Sequence, residues 1–193
     1  NGYEKEPNES LISRAKERIL KPAHSGNIYD YEKWAKEIDG VGKVLVEPLW
    51  NGNGTVRVRI SNYNNTLADN DLIQKVKRRI EQIDGRPIGA DVTVTNFDGK
   101  NIAISVSVIL SPGIKLNAVS DQISSKIKQM IKDNSALYTL NSKEILSINR
   151  VEKIVLSING VEDCKVMINN DSKNITVDSN EILIVTGVVV NEQ

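Results

Sequence analysis

The chain has 193 residues, with 25 basic and 25 acidic side chains and a formal net charge of zero. This balance gives no overall field that would attract nucleic acid or an anionic membrane. A single cysteine excludes an intrachain disulfide framework, and no run reaches the roughly 20 apolar residues of a membrane helix. The length fits one or two domains of about 100 residues, each able to bury a core.

A basic helix is predicted near the start of the chain. Residues 1–9 are polar and precede an amphipathic pattern over residues 11–20, which ends before Pro22. The basic side chains of this N-terminal helix indicate either a contact with an acidic partner or a solvated helix face. We favour the solvated face, because Glu17 is interleaved among the cations.

The stretch over residues 26–58 predicts a helix, a stop and a hairpin. Asp39-Gly40 follows the helical pattern, and we expect Gly40 to adopt the left-handed conformation just past the helix end. Two alternating strands then flank the turn NGNG at residues 51–54. The apolar stripe of the helix consists of Tyr31, Trp34, Ala35 and Ile38.

The same order of elements returns near the end of the chain, 120 residues later. Asn159-Gly160-Val161 matches Asp39-Gly40-Val41, and an apolar strand follows in both copies. A stripe, a terminator and a strand in one order indicate a duplicated supersecondary unit, and two copies predict paired modules. The second stripe consists of Val151, Ile154, Val155 and Ile158.

Another amphipathic helix is predicted over residues 71–83, and its outer face is the strongest basic patch in the chain. This patch supports an alternative function, a nucleic-acid-binding α/β module that uses helix 71–83. Aromatic side chains that stack on bases do not interleave the cations, so we favour a solvated helix face. The patch consists of Lys75, Lys77, Arg78 and Arg79.

The turn after this helix holds Arg86, beside Pro87 and between two glycines. Arg86 either binds a phosphate or carboxylate ligand or pairs with a neighbouring carboxylate, which we favour. An alternating strand follows, and Asp98-Gly99 then separates it from the next alternating strand. We therefore place the domain junction near residues 97–100.

The second half predicts another sheet with helices. Strand 101–110 has one buried face, a helix covers about residues 117–133, and strands are expected at 165–168, 175–177 and 181–190. The last strand is long and apolar, so we expect it to be central in a sheet or covered by another chain. The predicted fold class is α+β, with two small modules at residues 1–98 and 99–193, each a mostly antiparallel sheet with helices packed on it.

Residues suited to catalysis are scattered along the sequence. His24, the single histidine, has no nucleophilic Ser or Cys motif nearby, and Cys164 at a strand start is expected to be a small buried hydrophobe. The loop at residues 51–55 lacks the Lys-Ser/Thr ending of a phosphate-binding loop and leads into a strand. We predict no catalytic residues, no cofactor site and no metal site. A small hydrolase centred on Asn53 and Arg86 is the enzymatic alternative.

The string PLWNGNGTVRV at residues 48–58, with GNIYDYEKWAKEIDGVGKV before it and GRPIGADVTV after it, resembles the baseplate J-like family of contractile phage tails and phage-tail-like particles. The resemblance covers the family's middle and C-terminal portions and implies that an N-terminal part is absent. The matching positions are Gly26, Tyr31, Trp34, Ala35, Gly40, Val41, Pro48, Gly52, Gly54, Thr55, Val56, Arg86, Pro87, Gly89 and Ala90.

This resemblance implies a structural wedge subunit of the baseplate, without enzymatic activity, that works through protein–protein assembly. The implied partners are other baseplate wedge proteins and tail sheath or tube components, with no membrane and no nucleic acid. The implied location is the tail baseplate of a virion or tail-like particle made in the bacterial host cytoplasm. We expect the N-terminal basic helix and the C-terminal strand to be contact elements, and an isolated fragment to be able to remain monomeric.

Overall fold

The computed structural model describes residues 26–83, 87–135 and 143–193, so the N-terminal basic helix, His24 and Arg86 lie outside the described residues. The described residues form helices and strands in small sheets, which confirms the α+β class. The helices are α1 (Ile28–Lys36), α2 (Asn70–Glu81), α3 (Leu116–Ser135) and α4 (Ile148–Leu156). The strands are β1 (Val41–Pro48), β2 (Thr55–Asn62), β3 (Asp91–Asn96), β4 (Asp98–Leu110), β5 (Glu144–Leu146), β6 (Val161–Ile168), β7 (Ile175–Val177) and β8 (Glu181–Glu192).

Two three-stranded sheets organise the fold, sheet 1 with the order β1-β2-β3 and sheet 2 with the order β6-β4-β8, while β5 and β7 form a small separate pair. The central strands β2 and β4 each have one antiparallel and one parallel neighbour. Of the five ladders among the described residues, three are antiparallel. The parallel pairs need crossover connections, which contain α2 in sheet 1 and α3 in sheet 2.

The C-terminal strand β8 lies at the edge of sheet 2, next to β4. Of the two alternatives expected for this strand, a central position in the sheet is therefore wrong, and coverage by another chain stays a prediction. Its apolar side chains are accounted for by a different arrangement: Ile182 and Leu183 are buried, while Val188 and Val190 pack from the edge against the core of sheet 2. An apolar strand can thus bury one face without a neighbour on both sides.

The duplicated unit predicted from the sequence is present as α1 with β1 and as α4 with β6. Both helices have nine residues and both strands have eight. In both copies a backbone hydrogen bond of 3.2 Å closes the turn, from the Val41 amide to Ile38 and from the Val161 amide to Ile158. The turn glycines have φ angles of 97° and 94°, as expected. The first helix itself ends earlier than Gly40, because Glu37 already caps it.

The two sheets use this helix–strand unit in a different chain order. In sheet 1 the unit precedes the central strand and its crossover helix, whereas in sheet 2 it follows them. The spatial neighbours nevertheless agree. In each sheet the strand of the unit pairs antiparallel with the central strand, and the last strand pairs parallel with it on the other side. The likeness between the early and late segments therefore extends to the strand pairing of both sheets, although the elements follow one another in a different chain order.

Each sheet packs two helices against one face and has a core of its own. In sheet 1 the core includes Tyr31 and Ala35 of α1 with Val76 and Ile80 of α2, all of which are fully buried. In sheet 2 alternate residues of β4 point inward, as the period of two predicts. These β4 residues are Ile102, Ile104, Val106 and Val108, and they contact α3 and α4 residues within one cluster.

At Gly42 the backbone of β1 lies very close to the backbone of β2. A Cβ atom at this position would lie 2.1 Å from the Asn62 carbonyl oxygen, where the backbone cannot move without opening the ladder. We expect Gly42→Ala to lower the free energy of unfolding by about 2 kcal/mol or more. Gly187→Ala is the matched control, since a Cβ atom there meets open space, and its effect should stay within about 1 kcal/mol. Urea denaturation of both variants measures the difference, and equal effects would contradict the close approach.

A buried junction and the exposed surfaces

A small buried cluster joins the two sheets. Leu45 of β1, Phe97 between β3 and β4, and Ile182 of β8 form a core separate from the two larger ones. Along β1, Val44 and Val46 face the helices of sheet 1, so Lys43 and Leu45 face the opposite side. All four of these β1 residues are buried, which shows that the junction covers the second face of this strand.

Arg59 is the main polar group of the junction, and its side chain is only 8% exposed. It lies on β2 directly opposite Leu45. Its Nε donates to Glu47 Oε2 at 2.9 Å, and its Nη1 donates to Asp98 Oδ1 at 2.9 Å and to the Asn96 carbonyl at 3.1 Å. One guanidinium therefore ties β1 to the end of β3 and the start of β4, a task suited to the fixed fork of arginine.

The carboxylates around Arg59 have further partners. Asp98 also accepts a hydrogen bond of 2.8 Å from Asn180 Nδ2, which brings in the turn before β8. Glu47 accepts from Arg57 as well as from Arg59. Burial opposes ionisation of Glu47, but these two arginines together hold the pKa of its carboxyl below the usual value. The ionised network is thus the stable form of the junction.

Lys43 lies on the same side of β1. Its Nζ is 4.6 Å from the centroid of the Phe97 ring and donates to the Ser179 carbonyl at 3.4 Å. Burial lowers the pKa of Lys43 from 10.5 to about 8, and the Glu144 carboxylate partly opposes this shift. Burial also raises the pKa of Glu144, opposed by Arg150 and Lys43. The junction therefore contains a buried cation whose charged form is opposed by desolvation and favoured by the Glu144 carboxylate.

A further contact between the two halves of the chain joins the loop after β2 to the end of α3. Asn65 Nδ2 donates to the Lys132 carbonyl at 2.8 Å, and Lys132 Nζ donates to Asn64 Oδ1 at 2.8 Å. The same ammonium lies 5.3 Å from the centroid of the Tyr63 ring. A cavity of about 260 Å³ borders these residues and is walled by β8. Its charged lining residues, Lys128 and Lys132, have no facing carboxylate among the lining residues, so the cavity does not present an acid–base pair.

The basic patch on α2 is largely paired with acidic neighbours. Arg79 Nη2 lies 2.6 Å from Glu37 Oε2, and Arg78 Nε donates to the Gln74 carbonyl at 3.4 Å. Cations already paired in this way offer less to phosphate groups, which disfavours the nucleic-acid alternative. The remaining two pairs of the patch are Lys75 with Asp71 at 2.7 Å and Lys77 with Glu81 at 3.9 Å.

The enzymatic alternative that pairs Asn53 with Arg86 stays untested, because only Asn53 lies within the described residues. Asn53 lies in the exposed hairpin turn, which Thr55 Oγ1 closes by donating to the Gly52 carbonyl at 2.7 Å, while Arg86 is outside the described residues. Cys164 is half-buried, and burial raises the pKa of its thiol to about 11, so it stays protonated at neutral pH. In residues 26–83, 87–135 and 143–193, His, Cys, Asp and Glu side chains form no group of three that could hold a metal. None of the helices in these ranges is long and apolar enough to cross a membrane.

Sequence reasoning missed Arg59 and Lys43 as structural groups. The available signal was their position inside strands whose neighbouring residues are apolar, since a charged residue at such a position faces either solvent or a second buried surface. Only the other sheet decides between these outcomes. Arg59 reads as an ordinary solvated residue in the alternation Val58-Arg59-Ile60 until Asp98 and Asn96 are placed beside it.

Two domain families match consecutive parts of the chain. The Baseplate J-like central domain matches residues 23–96, and the Baseplate J-like protein C-terminal domain matches residues 102–191. The chain belongs to the baseplate J-like family. The short gap between the two matched ranges contains Phe97 and Asp98, the residues through which β3, β4 and Arg59 meet. The junction described above therefore lies where the two family domains adjoin.

Individual similar proteins support the membership of the chain in this family. The chain is 34% identical over 187 residues to YqbT of Bacillus subtilis (strain 168), covering 94% of this chain and 52% of that protein. It is 33% identical over 198 residues to the phage-like element PBSX protein XkdT of the same strain, covering 100% of this chain and 56% of XkdT. It is 28% identical over 171 residues to the baseplate protein gp47 of Escherichia phage Mu, covering 81% and 44%. The chain thus spans about half the length of the curated relatives it matches.

A solved structure shows the same fold. A chain in the cryo-EM structure of the anti-feeding prophage (AFP) baseplate, 6-fold symmetrised, superposes with a TM-score of 0.60 at 10% sequence identity. The match covers 93% of this chain and 42% of that chain. This fold is therefore also found in a protein of low sequence identity.

Arg59→Lys is expected to weaken the junction of this baseplate J-like chain. A lysine ammonium cannot reach Glu47, Asp98 and the Asn96 carbonyl with one planar group, so buried acceptors lose their donor. We expect the free energy of unfolding to fall by about 1.5–3 kcal/mol. Arg79→Lys is the control because its ion pair is exposed, and we expect a loss below about 1 kcal/mol. Chemical denaturation measures both, and a smaller loss for Arg59→Lys than for the control would refute the role of Arg59.

Lys43 makes stability depend on pH in the alkaline range. Its pKa is about 8 in the folded chain against an ordinary value of 10.5, so between these values the unfolded state binds more protons. We therefore expect its contribution to the free energy of unfolding to increase as pH rises from about 8 towards 10.5. Denaturation of the wild type and of Lys43→Met at several pH values isolates this contribution. A difference between them that does not change over this range would show that the buried ammonium titrates normally.

Proposed function

We propose that the chain is a structural wedge subunit in the baseplate of a contractile phage tail or phage-tail-like particle. One observation carries the proposal: both family domains are present in order, and they cover residues 23–96 and 102–191 of a single chain. Such a subunit acts by presenting fixed surfaces to its neighbours, without enzymatic activity or a cofactor. Its place is the tail baseplate, and the relatives named for a baseplate and a phage-like element support this location.

We also propose that residues 1–98 and 99–193 act as two modules held in one orientation. Separate cores over sheet 1 and sheet 2 support the division. The ion pairs of Arg59, the stacking of Lys43 over Phe97 and the contacts of Lys132 support a fixed orientation. A subunit that has to bridge several neighbours at once benefits from such rigidity, because interfaces formed by one module pre-position the other.

The free edge of β8 is the proposed contact with another wedge protein or with a sheath or tube component. Among the described residues β8 pairs with β4 alone, so the backbone groups on its outer side are open to a further strand. Val189 near its end is 56% exposed. An apolar strand with an open edge is suited to strand addition by a partner.

The substitution Val189→Lys tests this contact. Charged residues on an edge strand oppose further pairing, so Val189→Lys should lower incorporation into tail particles while leaving the folded chain intact. Ile145→Lys on β5 is the matched control, since Ile145 is also exposed, at 53%. Incorporation is measured by quantitative immunoblotting of purified particles, and thermal unfolding verifies folding. Deleting β8 is unsuitable because Ile182 and Leu183 belong to buried clusters. Normal incorporation of folded Val189→Lys chain would exclude the edge as a contact.

A further inference from the structure

Three Asn-Gly pairs lie in turns of the described residues, and all three asparagines are exposed. An asparagine before a glycine is chemically labile, because glycine has no side chain to shield its backbone nitrogen from the neighbouring side-chain amide. By sequence alone the three pairs are equivalent, so the hydrogen bonds of their turns decide how reactive each one is. The pairs are Asn51-Gly52 and Asn53-Gly54 between β1 and β2, and Asn159-Gly160 between α4 and β6.

The reaction of such a pair is deamidation, which needs a free backbone amide on the glycine. Hydroxide removes the amide proton, and the nitrogen forms a bond to the side-chain carbonyl carbon of asparagine. The bond from this carbon to the side-chain nitrogen breaks, and water returns a proton to the departing group, which leaves as ammonia. A second water molecule opens the resulting succinimide at either carbonyl, giving aspartate or isoaspartate. A glycine amide that already donates a hydrogen bond has to lose it before it can react.

The hairpin between β1 and β2 protects its first pair, Asn51-Gly52. The Gly52 amide donates to the Leu49 carbonyl at 3.2 Å. Thr55 Oγ1 holds the same peptide on both sides, since it accepts from the Asn51 amide at 3.0 Å and donates to the Gly52 carbonyl at 2.7 Å. The nitrogen that would attack the Asn51 side chain is therefore engaged in the closed turn.

The second pair of the hairpin, Asn53-Gly54, is the central peptide of a turn. This turn is closed outside the pair, where the Thr55 amide donates to the Gly52 carbonyl at 3.3 Å. Within the described ranges the Gly54 amide donates no hydrogen bond, as is usual for the central peptide of a β-turn. Its nitrogen can therefore react without first breaking a hydrogen bond.

The third pair, Asn159-Gly160, has the same arrangement, and the repeat shows that its turn accepts the acidic product. The Val161 amide closes the turn on the Ile158 carbonyl at 3.2 Å, and the Gly160 amide donates to none of the described residues. In the first copy of the unit, Asp39 stands before Gly40 at the equivalent position. The φ angles of Gly40 and Gly160 are 97° and 94°. An aspartate at position 159 therefore fits this turn.

We propose that Asn53 and Asn159 are sites of spontaneous deamidation, whereas the hydrogen bonds of Gly52 and Thr55 protect Asn51. Each event adds one negative charge to a chain whose formal net charge is zero. The isoaspartate product also inserts a methylene group into the backbone of the turn. The two sites belong to different sheets, so both halves of the chain gain an acidic group at the surface. This inference is independent of the proposed baseplate function, because the reaction needs only the folded chain and water.

Peptide mapping during incubation tests the assignment. The purified protein is kept in mildly alkaline buffer made with heavy-oxygen water, so that only conversions during the incubation carry the label. Mass spectrometry with electron-transfer fragmentation then measures aspartate and isoaspartate at each position over time. We expect Asn53 and Asn159 to convert at least about five-fold faster than Asn51, the factor that one net hydrogen bond provides.

The urea-unfolded protein is the control for this experiment. Without the turns, the three rates should agree within about two-fold, because every pair ends in glycine. Equal rates at Asn51 and Asn53 in the folded protein would overturn the inference. A stable Asn159 beside a reactive Asn53 would refute the second site alone.

Thr55→Val tests the protection of Asn51. Valine has the shape of threonine but lacks the hydroxyl that holds the Asn51-Gly52 peptide. We expect the rate at Asn51 to rise by about three-fold or more, while the rate at Asn159 in the distant turn stays at the wild-type value. Thr55→Ser keeps the hydroxyl and should retain the slow rate. Thermal unfolding verifies folding of both variants, and a wild-type rate at Asn51 in folded Thr55→Val protein would refute protection by Thr55.

Discussion

The hydrogen bonds of one buried guanidinium hold the two sheets in register. Arg59 donates to a carboxylate of β1, to a carbonyl at the end of β3 and to a carboxylate at the start of β4. A buried charge is stable only while its partners remain in place, because an unpaired ion in a poorly solvated site costs several kcal/mol. The three segments are therefore held together, and moving one sheet relative to the other would break ionic hydrogen bonds at the junction.

The rest of the junction follows from the same constraint. Once Arg59 and Asp98 fix the start of β4, Phe97 is placed between the sheets, where it contacts Leu45 and Ile182 and lies below the Lys43 ammonium. This arrangement buries both faces of β1 although helices cover only one of them. The structure thus resembles a single rigid piece at the junction and two independent cores elsewhere. Such a piece suits a baseplate subunit, whose contacts have to keep fixed distances.

The duplicated helix–strand unit provides the same support in both sheets, while the surfaces that differ are outside it. Sheet 1 extends a turn with Leu49 and Trp50, and sheet 2 extends the long edge strand β8. The shared architecture therefore carries different exposed elements in the two sheets, a turn in sheet 1 and a strand edge in sheet 2. Leu49, Trp50 and Val189 lie outside the buried clusters of the two sheets.

The sequence by itself determined the local elements and the family. The stripe of Tyr31 and Ala35 predicted α1, the alternation along β4 predicted its buried face, and the matching glycine turns revealed the repeat, because periodicity and turn chemistry depend on neighbouring residues. Only the tertiary structure decided that β8 is an edge strand, that each sheet contains a parallel pair and that Arg59 faces Asp98 instead of solvent. These features depend on which distant segments meet. Alternation along a strand specifies that one face is buried, but it does not specify the strand or charge on the other side.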